Sequence, residues 1–219
     1  MFYDDESLIP HIYPNEYDSV ATEFLETYYP DALLSPIPVP ILDIAKNGMH
    51  LDVQFVNLSE DLDIYGMTVF TDGYVEVYNT YQGVYEARKY KRKTVLIDPA
   101  AYKQTNEGCV NNTIAHECVH WYKHRMYYKM QMLQLPRYAK YCKCRVNQLS
   151  PNTEEEEILE RQAIGIAPRI LMPKHSFCEK ALSLGIRNST PSFAQLDSLA
   201  SFFKVSRQSA SIRLRECGI

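Results

Sequence analysis

The 219-residue chain contains no run of eighteen apolar residues, so no segment reads as a membrane-spanning helix. Its first ten residues, MFYDDESLIP, carry no basic residue and lead into no apolar core, so no secretory leader of the usual pattern is expected. The expected compartment is the cytoplasm. There is no internal repeat, and the only low-complexity run is Glu154 to Glu157. A zinc-finger framework is also missing. The cysteines are Cys109, Cys118, Cys142, Cys144, Cys178 and Cys217, and only Cys142/Cys144 are spaced as a pair. Without a second pair at finger distance they read as reduced thiols, neither a disulfide set nor a structural zinc site.

Each charge sign is missing from one stretch. Residues 1–32 hold Asp4, Asp5, Glu6, Glu16, Asp18, Glu23, Glu26 and Asp31 but no Lys or Arg. Between Cys118 and Thr153 there is no acid, only Lys123, Arg125, Lys129, Arg137, Lys140, Lys143 and Arg145. A net charge of −4 and a pI near 5.9 argue against a nucleic-acid surface. The expectation is a solvated basic face that meets the acidic amino-terminal segment. With 46% hydrophobic and 23% charged residues, the chain has the composition of a folded globular protein.

Asp18 to Tyr29 has helical spacing, with Asp18 as its cap and Pro30 as its stop. The prolines of Ser35 to Ile41 make an extended connector, and Ile41 to Asn47 reads as a short helix stopped by Gly48. Strands are expected at Leu51–Val56, Tyr65–Phe70, Tyr74–Asn79 and Lys93–Asp98, with Asp72-Gly73 turning a hairpin between the second and third. Helix is expected from Asn111 to Tyr128, capped by Asn111, Asn112 or Thr113, and then a loose basic stretch to Ser150. Thr153 to Met172 is a further helix, with Thr153 and Glu156 fitting a capping box. Two short helices around Lys204-Val205-Ser206 close the chain.

The chemistry lies in His116-Glu117-Cys118-Val119-His120. Histidines four apart project from one face of a helix and can share one metal ion, and the Glu between them can deprotonate a water. Zinc is the expected ion, with manganese as the alternative. A catalytic zinc usually takes a third protein ligand. His124 repeats the spacing, but two helical turns separate it from His116 by about 12 Å, too far to share an ion. It reads as a structural or supporting residue, and His175 has no motif around it. Glu160 is the stronger choice. It shares a face with Ala163, Ala167 and Leu171, so it points inward and needs a partner. Glu156 and Glu157, one turn earlier, remain alternatives.

HECVHW, followed by Glu160-Arg-Gln-Ala163-Ile-Gly-Ile-Ala167-Pro-Arg-Ile-Leu171-Met172-Pro173, resembles the ImmA/IrrE family of metallo-endopeptidases. Fainter likeness extends from about residue 35 to the closing FFKVSRQSASIRLRECG. The resemblance implies His116, His120 and Glu160 as metal ligands, Glu117 as catalytic base, and a helix-turn-helix repressor as substrate. The sequence departs from the family pattern at Ile164, at Ile166 and at Pro168, which should interrupt the helix; Cys118-Val119 replaces the commoner Leu-Gly. The last residues resemble a helix-turn-helix-like module in which Lys204, Arg207, Arg213 and Arg215 are candidates to touch phosphate, although DNA contact is not the favoured role.

The expected architecture is α+β: a small, mostly antiparallel sheet packed against zincin-type metal-binding helices, with the helical module at the carboxy terminus. The division would be an acidic segment over 1–34, a metallopeptidase domain over 35–175 and the module over 190–219. The expected activity is zinc-dependent endopeptidase; the alternative is a non-catalytic, metal-containing regulator that binds a repressor or DNA.

Overall fold

The computed structural model describes residues 8–99, 107–130, 141–145, 153–187 and 190–219. After a 3-10 turn at Pro14–Glu16 comes α1 (Tyr17–Tyr28), whose Val20, Ala21, Phe24 and Leu25 make one buried stripe. Asp18 lies inside the first turn of α1, whose N-cap is Glu16. Its carboxylate does not cap; it pairs instead with the buried Arg213 and the partly buried Arg169, whose charged donors outcompete a helix end that water can reach. Two short helices follow, α2 (Asp31–Leu34) and α3 (Ile41–Asp43), the latter continuing as a π turn that ends at Gly48.

The main sheet takes β1 (Asp52–Phe55), β2 (Ile64–Val69), β5 (Thr94–Ile97) and β6 (Tyr141–Arg145) in the order β1-β5-β2-β6. β1 and β5 run parallel, and the other two pairings are antiparallel. Every residue of β5 is buried, as expected of a strand paired on both sides and covered on both faces. The expected hairpin at Asp72-Gly73 does not form. β5 and β6 occupy both edges of β2, so β3 (Gly73–Asn79) has no free edge there and pairs with β4 (Val84–Tyr90) in a separate two-stranded sheet. Asp72 serves the turn differently, its Oδ1 accepting from Arg92 N–H at 2.6 Å.

Helix α4 (Glu107–Val119) continues through a π turn at His120–His124 into α5 (Arg125–Met130). It begins earlier than the sequence suggests, so Asn111, Asn112 and Thr113 lie within it and cap nothing. Asn111 Nδ2 donates to Lys204 O at 3.0 Å, and Thr113 Oγ1 donates back to Cys109 O at 3.0 Å. Then comes α6 (Glu154–Leu171), where Thr153 Oγ1 accepts from Glu156 N–H at 3.2 Å as the cap requires. Pro168 does not end this helix: Met172 N–H still donates to Pro168 O at 3.0 Å. Leu159, Ala163, Ile166, Ala167, Ile170 and Leu171 are all buried, and this stripe packs α6 against α4 and α1. At the α1 crossing, a Cβ on Gly165 would lie 2.1 Å from the Tyr17 ring, so only glycine permits the approach.

The chain closes with α7 (Lys174–Ser183), α8 (Phe193–Phe203) and α9 (Arg207–Cys217). Lys204 takes a left-handed conformation between the last two. Arg213 is buried, donating to Met172 O and pairing with Asp18 and Glu216, so it is not a surface cation. Lys204 pairs with Glu107 at 3.0 Å and Arg207 with Asp197 at 3.2 Å, which leaves Arg215 exposed. On the basic stretch, Lys123 reaches Glu23 of the acidic segment at 2.9 Å, a contact of the expected kind. Arg137 and Lys140, the Arg145 and Cys144 side chains and residues 1–7 lie outside the described residues. No described helix is long and apolar enough to cross a membrane.

Candidate metal centre

The end of α4 is buried on all sides because it runs between the sheet and α6. His116 and His120 are 2% and 0% exposed, and their Nε2 atoms lie 2.9 Å apart. From α6, Glu160 Oε2 comes to 3.2 Å from His116 Nε2 and Oε1 to 3.2 Å from His120 Nε2. Four ligands placed tetrahedrally at 2.0–2.1 Å around a zinc ion would stand about 3.3 Å from one another. The three donors therefore already sit close to ligand spacing, and a set of two imidazoles and one carboxylate suits a divalent transition-metal ion. They form the one group among the described residues able to hold a metal.

Glu160 keeps some solvent contact at 24%, which makes its side the open one. Burial by itself would raise its pKa, but the two imidazoles, His120 foremost, hold it well below the usual carboxylate range. Of the alternatives, Glu157 is exposed and faces Arg161 at 3.9 Å, and neither it nor Glu156 joins the cluster. His175 lies exposed on α7, away from the site. His124 is no part of the donor set either. Its Nδ1 contacts His120 Nδ1 at 3.0 Å, and its Nε2 contacts Gln162 Oε1 at 3.0 Å.

Glu117 has no exposed surface. Its Oε2 accepts from Thr68 Oγ1 on β2 at 2.7 Å and from Cys142 Sγ on β6 at 3.7 Å. Its Oε1 has no partner. A buried carboxylate oxygen left unpaired is costly, and such atoms mark places where a water or substrate is to be received. Burial pushes the pKa of Glu117 up, while His116 and His120 draw it partly back. The carboxylate reaches this position because β2 has Gly66 opposite it: a Cβ there would stand 2.7 Å from Glu117 Oε1 and 2.7 Å from Thr113 Cγ2.

Sequence reasoning identified the donors and Glu117 but missed Thr68, Cys142, Gly66 and Gln162. A glycine inside an apolar strand was the one available signal, since it often marks a close approach. Cys142 had been noticed only as half of Cys142/Cys144; here it is a buried thiol bonded to Glu117.

Residues 104–215 match the Peptidase M78 family, the IrrE N-terminal-like domain. No curated protein matches the chain.

Proposed function

The chain belongs to the Peptidase M78, IrrE N-terminal-like family, and from that premise we propose that it is a zinc-dependent endopeptidase. The observation that carries the reading is the convergence of His116 Nε2, His120 Nε2 and the Glu160 carboxylate beside a buried, unpaired Glu117 oxygen. His116, His120 and Glu160 would hold the ion, zinc by preference and manganese as the second fit. When bound, the ion supplies Lewis acidity, bringing the pKa of water from 15.7 to about 7 and polarising a scissile carbonyl.

The remaining work falls to the chain's own groups. Thr68 and Cys142 fix Glu117 Oε2, which directs Oε1 to the incoming water. Glu117 takes the water's proton on Oε1 and later gives it to the leaving amine. Burial raises its pKa, and a carboxylate made more basic in this way both takes a proton more readily and suits the later role of acid. Substrate enters from the Glu160 side, the exposed edge of the cluster. The proposed substrate is a helix-turn-helix transcriptional repressor, a reading that rests on family resemblance alone.

Glu117→Gln tests the chemistry. The amide is nearly isosteric and lies outside the ligand set, so metal uptake should persist while cleavage falls by about 10²–10⁴-fold. Cleavage of candidate repressors would be followed by mass spectrometry, with and without chelator. Full cleavage by the variant would sink the mechanism. Biological activity without cleavage would favour the non-catalytic regulator.

A further inference from the structure

Resting on the metal-binding part of that proposal, we infer that Pro10 O, Gln162 and His124 form a hydrogen-bond relay that fixes the tautomer and orientation of the ligand His120. The relay has a direction because its far end can only accept. Gln162 Nε2 donates to the Pro10 carbonyl at 2.8 Å, so the amide is held with its oxygen towards His124. Gln162 Oε1 lies 3.0 Å from His124 Nε2, and an amide oxygen also only accepts. His124 therefore carries a hydrogen on Nε2.

The next contact, between His124 Nδ1 and His120 Nδ1 at 3.0 Å, holds a single hydrogen. If that hydrogen sat on His124, the ring would be a cation with no exposed surface, both of its nitrogens facing neutral groups. Burying an unpaired charge in this way is far costlier than the neutral arrangement. The hydrogen belongs to His120 Nδ1, and His120 Nε2 is left bare. That bare nitrogen is the atom 2.9 Å from His116 Nε2 and 3.2 Å from Glu160 Oε1, where a metal needs a lone pair.

Two features make the relay more than a satisfied buried histidine. His120, His124 and Gln162 are 0%, 0% and 2% exposed, so no water competes for the hydrogens that set the tautomer. Gln162 stands two residues after Glu160 on α6, so one helix supplies both the third ligand and the brace for the second. The terminal acceptor, Pro10, lies outside the family match of 104–215. The amino-terminal segment thus completes the support of a metal centre whose ligands all lie in the matched region. His124 and Gln162 are positioning residues, since neither contributes a donor atom to the cluster.

The test measures zinc affinity of the full-length protein by competition with a chromophoric chelator. Gln162→Leu removes the acceptor at similar volume and should weaken zinc binding about 10–100-fold. His124→Leu should do the same, and His124→Asn, whose Oδ1 can accept where Nδ1 did, should recover part of the loss. In parallel, nitrogen-15 spectra of the zinc-loaded wild type should show His124 neutral with its hydrogen on Nε2, a reading that needs no variant to fold. A hydrogen on His124 Nδ1, or a folded Gln162→Leu with wild-type affinity, overturns the relay while the metal centre stands. Wild-type protein that takes up no zinc overturns the metal reading and the relay with it.

Discussion

Replacing Gly66 with alanine addresses the seat of Glu117 without touching a ligand. The added Cβ would fall 2.7 Å from Glu117 Oε1, 3.2 Å from its Cδ and 2.7 Å from Thr113 Cγ2. A comfortable carbon–oxygen or carbon–carbon contact needs about 3.5 Å or more, so close to an ångström must be recovered. The carboxylate cannot yield freely, because Thr68 and Cys142 hold Oε2 and Glu117 is itself fully buried. Overpacking of this kind costs about 1–3 kcal/mol. Displacing a catalytic group by about 1 Å costs roughly 10²-fold in rate. We expect Gly66→Ala to bind zinc with wild-type stoichiometry, to unfold at lower urea concentration and to lose about 10²-fold in kcat with little change in KM. Adding Thr113→Ser removes the offending Cγ2 while keeping the hydroxyl that bonds Cys109 O. The double variant should regain part of the stability and little of the activity, since the Glu117 clash remains. A Gly66→Ala protein with unchanged kcat and unchanged urea midpoint would refute the argument that β2 sets the position of the base.

Three further outcomes are expected. Arg213→Met should lower stability in urea by about 1–3 kcal/mol, less than the 3–5 usual for a broken buried pair, because Asp18 and Glu216 keep enough exposure to rehydrate. Burial alone would raise the Asp18 carboxyl, but Arg213 and Arg169 hold it below its usual value. Its contribution is therefore complete above the unfolded value near 3.9 and is lost as pH falls through the lower folded value, so Asp18→Asn should flatten the acid limb of a stability–pH curve. Free zinc at about 100 times its dissociation constant should stabilise the protein by about 2.7 kcal/mol, and chelation should lower Tm by roughly 5–10 °C.

The strands and helices that sequence patterning located are those with a strong period and an ordinary end. The stripe on α6 identified Glu160 because a helix carries its face in its spacing. β4 escaped notice since only Tyr90 of its seven residues is buried, so it shows no alternation. β6 escaped because Lys143 and its basic surroundings masked the buried thiol at Cys142. The hairpin expected at Asp72-Gly73 failed for a non-local reason: a turn dipeptide says that the chain can reverse, not that the strands beside it have free edges.

What the sequence pointed to by itself was a set of candidate donors, His116, His120 and Glu160, with Glu117 beside them. His116, Glu117 and His120 lie within about one helical turn, and the period of its own helix favoured Glu160 over Glu156 and Glu157, which only the fold set aside. The tertiary structure decided how those groups are held. Thr68 lies 49 residues from Glu117, and Pro10 lies 152 from Gln162. No periodicity links such distant positions. Only packing α4 between the sheet and α6 brings them into hydrogen-bond range, leaving one oxygen of Glu117 unpaired and one nitrogen of His120 bare.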